Sequence, residues 1–458
     1  MMVRRPPLRF PLRPCALLAP LLLLLLSAEP ARPQDPPGAE GKDEILLGKS
    51  CVTSSCHADQ KEVENAHDPV ASGSCDVCHV SEEGKHRFHL AREDAALCSF
   101  CHEAYADSEL LETVHGPVAV GECTACHDPH RSDHGSLLLE SPGADLCYSC
   151  HDRDEVQPKG TLHGPIEEGE CLLCHDPHSS DQAKLLLQPG RKLCYECHVE
   201  FEEGLEAREN WHAPAAESCS HCHDPHSSDL PLLLGATVPD LCWRCHEDLK
   251  EDFNRATNIH KAVEIEDKCL NCHDPHASDH GAILKTGMVE TCLGCHDKKI
   301  EVEGGRPLRN MKELLGRSTV LHGPIAEGDC ASCHRPHAAS TYRSLVDVFP
   351  ADFYAPFKLE QYGLCFQCHD DALVLAEMDG EATGFRDGEQ NLHYAHVNRE
   401  RKGRTCRACH AIHGSSKEFL IRDRVPFGGW MIPIHFKKLD GGGSCTPGCH
   451  ERKEYRRK

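Results

Sequence analysis

The sequence predicts a mostly irregular chain of short α-helices with little or no β-sheet, built as an elongated array of repeated units around a core that side chains alone do not supply. Three observations predict it. The 458 residues include 35 Gly and 30 Pro, so turn signals interrupt each apolar stretch before a long helix or sheet strand can form. Only 5% of residues are aromatic, which is thin for a conventional core in a chain of this length. And 30 of the 31 cysteines fall into fifteen pairs, each followed at once by a histidine.

Thirteen pairs read C-x-x-C-H: Cys75/Cys78/His79, Cys98/Cys101/His102, Cys123/Cys126/His127, Cys147/Cys150/His151, Cys171/Cys174/His175, Cys194/Cys197/His198, Cys219/Cys222/His223, Cys242/Cys245/His246, Cys269/Cys272/His273, Cys292/Cys295/His296, Cys330/Cys333/His334, Cys365/Cys368/His369 and Cys406/Cys409/His410. Two are wider, Cys51/Cys56/His57 and Cys445/Cys449/His450. C-x-x-C-H is the attachment signature of c-type haem: two thiols add to the porphyrin vinyl groups, and the next histidine lies under the ring as an iron ligand. Fifteen covalently bound haem c groups are expected. Zinc is the rival, since C-x-x-C pairs about twenty residues apart also suit zinc ribbons. Tetrahedral zinc demands no histidine directly after every second cysteine, and all fifteen pairs have one.

Residues 1–28 read as a secretory signal peptide. Arg4, Arg5, Arg9 and Arg13 precede an apolar run from Ala16 to Leu26, and small residues follow. That run is too short to span a bilayer, and no later segment is apolar enough, so a soluble exported chain is expected, periplasmic, outer-membrane-associated or extracellular. Cys15, the one cysteine outside the motifs, lies in this leader. Residues 29–47 are a Pro/Gly/acid-rich linker expected to be disordered. About 29 residues then serve each motif, so porphyrin plates are expected to form much of the core and the haem-free chain to be largely disordered. The formal charge is −24, and without the four leader arginines it is −28. So acidic a surface argues against nucleic acid and favours cationic or amphoteric redox partners, and it also keeps a small-cored chain in solution.

The rest of the chain repeats. A leading single-haem segment (48–66) precedes a degenerate two-haem unit (67–114), four regular two-haem units (115–321) and an enlarged C-terminal lobe with two more (322–458). Cys123, Cys171, Cys219 and Cys269 open successive units at intervals of 48, 48 and 50 residues, a period that marks a stacked array. Each regular unit runs from H-G-P or a close variant through C-x-x-C-H-D-P-H and an aliphatic triplet to L-C-x-x-C-H, and the segment before the second motif is the best candidate for a short helix. In the lobe, an aromatic-rich insertion (Tyr342 to Tyr362) and the stretch Val425 to Leu439 are where a protein core of ordinary type can form; a docking surface is the other reading.

Fifteen motif histidines supply proximal iron ligands. The spare histidines are regularly placed, two per unit. One precedes the first motif (His67, His115, His163, His212, His260, His322, and His393 or His396); one follows it (His86 or His89, then His130, His178, His226, His276, His337 and His413). These are the candidate distal ligands. A histidine three residues after a proximal one cannot reach the far face of the same ring, so it is expected to bind another haem. The leading haem needs a partner as well, for which His86, His89, His393, His396 and His435 are candidates. His134, His221 and His280 suit a solvated or supporting role better. Two histidines on each iron leave no vacant position, and the implied chemistry is electron transfer.

The repeated CHDPH, HGP and trailing aliphatic runs resemble the doubled C-x-x-C-H proteins of the multihaem cytochrome c3-like superfamily. The C-x4-C-H of Cys51–His57 is also used there, and NLHYAHVNRERKGRTCRACHAIHGS and VPFGGWMIPIHFKKLDGGGSCTPGCH resemble the C-terminal part of large exported members. The resemblance implies bis-histidine haems and respiratory electron transfer, as a shuttle, as a haem subunit of an outer-membrane conduit with a porin, or as an extracellular assembly. Its partners are then other redox proteins, periplasmic or outer-membrane cytochromes among them, or further copies of itself. Two other classes stand beside this one. A multihaem reductase for nitrite, hydroxylamine, a sulfur oxyanion or a metal needs one open haem, and no C-x-x-C-K is present. A structural haem filament needs stacking between chains.

Overall fold

The computed structural model describes residues 51, 57, 65–82, 87–106, 111–156, 160–302 and 306–458. The expected signal peptide with Cys15, the linker, Cys56 and His86 lie outside the described residues. The chain divides into two compact units, one of residues 1–62 and 68–93, the other of residues 63–67 and 94–458.

In the smaller unit a one-turn helix (Asp68–Ala71) leads into a 3₁₀ turn over the first cysteine of its motif (Cys75–Val77). A short hairpin follows, His79–Ser81 against Phe88–Leu90, with His79 opposite Leu90. The larger unit repeats a fixed order. The first regular copy has a two-residue strand (Thr113–Val114), His115, a one-turn helix (Gly116–Ala119), a 3₁₀ turn over the first motif (Cys123–Ala125), a second strand (Arg131–Ser132), another 3₁₀ turn (Gly135–Leu137) and a helix into the second motif (Ala144–Cys147). H-G-P, a turn signal in the sequence, proves to be a helix start: proline at the first turn has its φ preset and needs no N–H partner. The helix stops within a turn at Gly121 (φ 77°), where an added Cβ would sit 2.8 Å from that of Ala95. The expected helices before the second motifs are present, for example Arg191–Tyr195, Asp240–Trp243, Met288–Cys295 and Gly363–Phe366.

Sheet is confined to antiparallel ladders of two to four residues per strand, and most of them join one repeat to the next. The strand before each upstream histidine pairs with the strand after the D-P-H-type turn of the following repeat: 65–66 with 131–132, 113–114 with 179–180, 161–162 with 227–228, 210–211 with 277–278, 258–259 with 338–339, and 320–321 with 414–415. The histidines extend each ladder. The His115 N–H donates to the His178 carbonyl at 2.9 Å, and His163, His212 and His260 donate likewise to His226, His276 and His337.

The aliphatic run holds a second device. Ser136–Leu137, Lys184–Leu185, Leu232–Leu233, Ala282–Ile283, Arg343–Ser344 and Phe419–Leu420 all have φ between 47° and 59°, and none is glycine. Two successive left-handed residues cost about 1–2 kcal/mol each, and the surrounding repeat holds them there. At this position Lys184→Val should lower stability by about 2 kcal/mol relative to Lys184→Gly, because a β-branched residue tolerates positive φ worst. Thermal unfolding of the two variants checks this; equal midpoints would refute it.

The C-terminal lobe has the ordinary core that the sequence permits. Tyr362, Val374 and Val397 are buried together, with Phe357, Phe366 and Leu373 packed against them. Val425 and Ile434 are buried, whereas Phe427 and Trp430 of the same stretch are exposed.

Candidate haem sites

The repeats bring histidines together in pairs. Each upstream histidine faces the second-motif histidine of its own unit: His67–His102, His115–His151, His163–His198, His212–His246, His260–His296 and His322–His369, with ring centres 6.0–6.2 Å apart and planes within 18°. From His178 on, each later histidine faces the first-motif histidine of the preceding unit: His127–His178, His175–His226, His223–His276, His273–His337 and His334–His413, at 5.9–6.2 Å. The histidine three residues beyond a motif therefore serves the neighbouring repeat, as its short reach requires.

The spacing is informative. Six ångströms is too wide for contact between stacked imidazoles. Two metal–nitrogen bonds of about 2 Å, with each nitrogen about 1.2 Å from its ring centre, put the centres about 6.4 Å apart. The pairs fit one six-coordinate iron between two rings.

The ring orientations fit as well. In the first motifs, Nδ1 of His127, His175, His223, His273, His334 and His410 is bonded to the carbonyl of Ser136, Lys184, Leu232, Ala282, Arg343 and Phe419, at 2.7–3.2 Å. These are the first residues of the left-handed pairs, so the backbone strain aims a carbonyl at each ring. Nδ1 of His67, His115, His163 and His212 is bonded to the carbonyl of Pro129, Pro177, Pro225 and Pro275 at 2.9–3.0 Å. The proline of D-P-H thus orients the upstream histidine of the preceding unit. Holding Nδ1–H in this way leaves Nε2 as the ligating atom and fixes the tautomer. The aspartate of the motif shapes the turn: Asp176 Oδ1 accepts from the His178 and Ser179 N–H groups, and Asp128 does the same for His130 and Arg131.

At several of the rings burial favours the neutral form, the one that binds a metal. It pushes His178, His226, His276 and His337 below the usual histidine range, helped by facing imidazoles, and takes His393 and His413 down to about 4. The cysteines also meet. Thiols of adjacent units hydrogen-bond as Cys194–Cys219, Cys242–Cys269, Cys292–Cys330 and Cys365–Cys406, which raises the first of each pair and lowers the second. Cys147 and Cys171 make the same contact, and so do Cys51 and Cys75. Within units, Cys126 lies near Cys150, Cys174 near Cys197, Cys222 near Cys245, Cys272 near Cys295 and Cys333 near Cys368. From Cys123 to Cys449 the motifs therefore adjoin one another in chain order.

At Cys78 and Cys449 the neighbouring strands differ from those of the regular repeat. Cys78 falls in the smaller compact unit and Cys101 in the larger. D-P-H is missing after this motif. In its place the hairpin of the smaller unit follows Cys78 directly, while the Cys78 carbonyl accepts from the Ala91 N–H at 2.8 Å as the Cys126 carbonyl accepts from Leu139 in the regular repeat. Cys101 is exposed just past the helix Ala95–Ser99 with its N–H on the Cys98 carbonyl at 3.2 Å, as Cys150 is past Ala144–Cys147 in the regular repeat. Cys449 lies near Cys409, as a second-motif cysteine should, yet no helix carries it. Its partner Cys445 ends the strand Gly442–Cys445, the centre of a three-stranded sheet, and the longer Thr-Pro-Gly spacer then turns Cys449 outward into an exposed position.

The unit that holds Cys406 and Cys409 departs from the pattern by pairing within itself. His410, a first-motif histidine, faces His393 at 6.3 Å instead. His393 lies on the helix Leu392–Val397, which Asn391 caps by accepting from the His393 and Tyr394 N–H groups, and its Nδ1 meets the Thr383 hydroxyl at 2.9 Å. His396, one turn on, bonds the Leu392 carbonyl through Nδ1 and lies near His450. Of the remaining candidates, His89 is exposed in the small unit's hairpin. His435 is exposed with φ 45°. His221 meets the Pro214 carbonyl, and His134 and His280 donate their backbone N–H to Ser132 and Ser278. Sequence reasoning missed the carbonyls that orient the rings; the D-P-H proline and the fixed place of the aliphatic triplet were the available signals.

A family model described as the doubled CXXCH motif matches residues 67–107, 115–156, 163–203, 212–251, 260–301 and 322–373, together more than half of the chain. No curated protein matches it.

Proposed function

We propose, for a chain that belongs to the doubled CXXCH motif family and is a multihaem c-type cytochrome with covalently bound haem c, that it is an exported electron carrier with fifteen bis-histidine haems in a row. When bound, haem c supplies one-electron Fe(III)/Fe(II) chemistry, with no vacant position for substrate where two histidines ligate. Each C-x-x-C pair anchors one ring and the following histidine takes its near face. On the far face, His67, His115, His163, His212, His260 and His322 serve the second motifs. His178, His226, His276, His337 and His413 serve the first motifs of the preceding units, and His393 serves Cys406/Cys409. The leading motif, Cys75/Cys78/His79 and Cys445/Cys449/His450 complete the fifteen. The observation that carries this reading is the set of twelve imidazole pairs near 6 Å, each holding one motif histidine. The chain-order contacts of the cysteines support a linear row. Donor and acceptor are other redox proteins, periplasmic or on the outer membrane.

Low-temperature EPR of the oxidised holoprotein, with intact mass on the same sample, tests the reading. Fifteen haems by mass and essentially all iron low-spin are expected. One high-spin haem that shifts on adding nitrite would replace it with a reductase. Cys174→Ala should leave a protein one haem short by mass; a full complement would overturn the attachment assignment.

A further inference from the structure

The net acidity of the chain hides a reversal at one end. Residues 393–458 carry fifteen Lys and Arg against six Asp and Glu, a net of +9, while residues 29–392 carry −37. From this basic segment rises a hairpin, Arg424–Phe427 paired with Trp430–Pro433 and turning through Gly428 (φ 56°) and Gly429. Its base is fixed: Val425 is buried, the Ile434 N–H donates to the Asp423 carbonyl, and the Gly448 N–H donates to the Pro433 carbonyl, which ties the hairpin to the Cys445/Cys449 loop. Phe427 leans on Phe353 and Tyr354, with ring centres 5.4 and 5.7 Å apart. Beyond that support the tip is bare, with Trp430 78% and Met431 52% exposed.

We infer that this hairpin is an anchor for the headgroup layer of an anionic lipid bilayer. Successive strand residues point to opposite faces, so Trp430 and Met431 wrap apolar surface around both sides of the tip. A folded partner's flat surface covers one side, whereas a headgroup layer surrounds the tip. Arg424 lies three residues along the strand from the Phe427–Trp430 pair, about 10 Å, which sets this exposed cation behind the tip at the far end of the roughly 5–10 Å to which interfacial apolar groups penetrate. Tryptophan is the residue suited to that depth, apolar in body and with one N–H for the interface. Lys437, Lys453, Arg456 and Lys458, in the same basic segment, are exposed and form no ion pair among the described residues. Such cations attract anionic headgroups within a Debye length of about 8–10 Å, and beyond that distance the acidic repeats are screened from the surface.

Flotation of the holoprotein with vesicles tests this, using phosphatidylcholine alone and phosphatidylcholine mixed with phosphatidylglycerol. Flotation with the mixed vesicles at low salt is expected, weakening as salt rises, with little on phosphatidylcholine alone. Trp430→Ser and the double variant Lys437→Glu/Lys453→Glu should each cut partitioning about tenfold, with the haem absorption spectrum unchanged as a check on folding. Equal partitioning of the variants and the parent would overturn the inference, as would equal flotation on neutral vesicles. Salt-sensitive self-association in place of flotation would overturn it too, and assign the basic end to the acidic repeats of a second copy.

Discussion

The chain made without haem attachment should have almost no cooperative fold. Its far-UV circular dichroism should be close to that of a disordered chain, and protease should cut throughout residues 65–344. The reason is the scarcity of buried side chains. Ordering one residue costs about 1–2 kcal/mol in backbone entropy, and burying one large apolar side chain returns about 1.5–3. Among the described residues only twelve apolar side chains are buried, and four of these are alanines: Ala277, Ala338, Ala339 and Ala408. Between units the protein offers two-residue ladders, far too short to persist alone. Haem therefore supplies the missing apolar core, and its attachment is coupled to folding. The C-terminal lobe is the exception to look for, since Tyr362, Val374 and Val397 form a cluster of side chains alone, and fragments protected from protease should map there. A sharp thermal transition of full amplitude in the haem-free chain would refute the prediction.

His178→Met should change one haem only, and that haem should be the one attached at Cys123 and Cys126, although His178 is three residues from His175. The His178 ring faces His127 at 6.1 Å with planes 13° apart, and no ring can fold back over a haem held by the adjacent turn. Thioether donates less strongly than imidazole, so one potential should rise by on the order of 0.1 V, within the roughly 0.8 V that axial ligation spans. The backbone contribution survives, because the His178 carbonyl still accepts from His115 and the ladder Thr113–Val114 with Ser179–Ser180 remains. The assignment is tested by combining variants. With Cys123→Ala/Cys126→Ala, which removes that haem, His178→Met should have no further effect on the redox titration. With Cys171→Ala/Cys174→Ala its effect should persist. The reverse pattern, or an unchanged titration in the single variant, would remove His178 from the iron.

How much of this was legible depended on whether the information was local. The attachment sites are runs of five to seven residues, and their chemistry demands adjacency, so they stand out in the sequence. So does the supply of distal ligands, because one histidine recurs before each first motif and another after it. The partner of each was not legible. His127 and His178 are fifty-one positions apart, and regular spacing admits pairing within a unit or across its border equally well. The surroundings of Cys78 and Cys449 were hidden too, since a motif reads the same whether a one-residue bridge, a hairpin or a strand adjoins it. The inter-unit ladders left as little trace: at two residues per strand, no alternation of apolar and polar positions can develop. The left-handed pairs, such as Lys184–Leu185, carry no glycine to announce them.

The sequence by itself determined the cofactor chemistry, the repeat and the sparse regular structure, because covalent attachment and turn formation are read from neighbouring residues. Only the tertiary structure decided which histidines face one another, that each D-P-H turn serves the unit before it, and that the last unit closes the array by turning His393 onto His410. The physical reason is stacking. A repeat that buries its surface against the next leaves its ligands to be completed by the next, whereas His410 meets a histidine of its own unit, carried to it by a helix that the regular repeats lack.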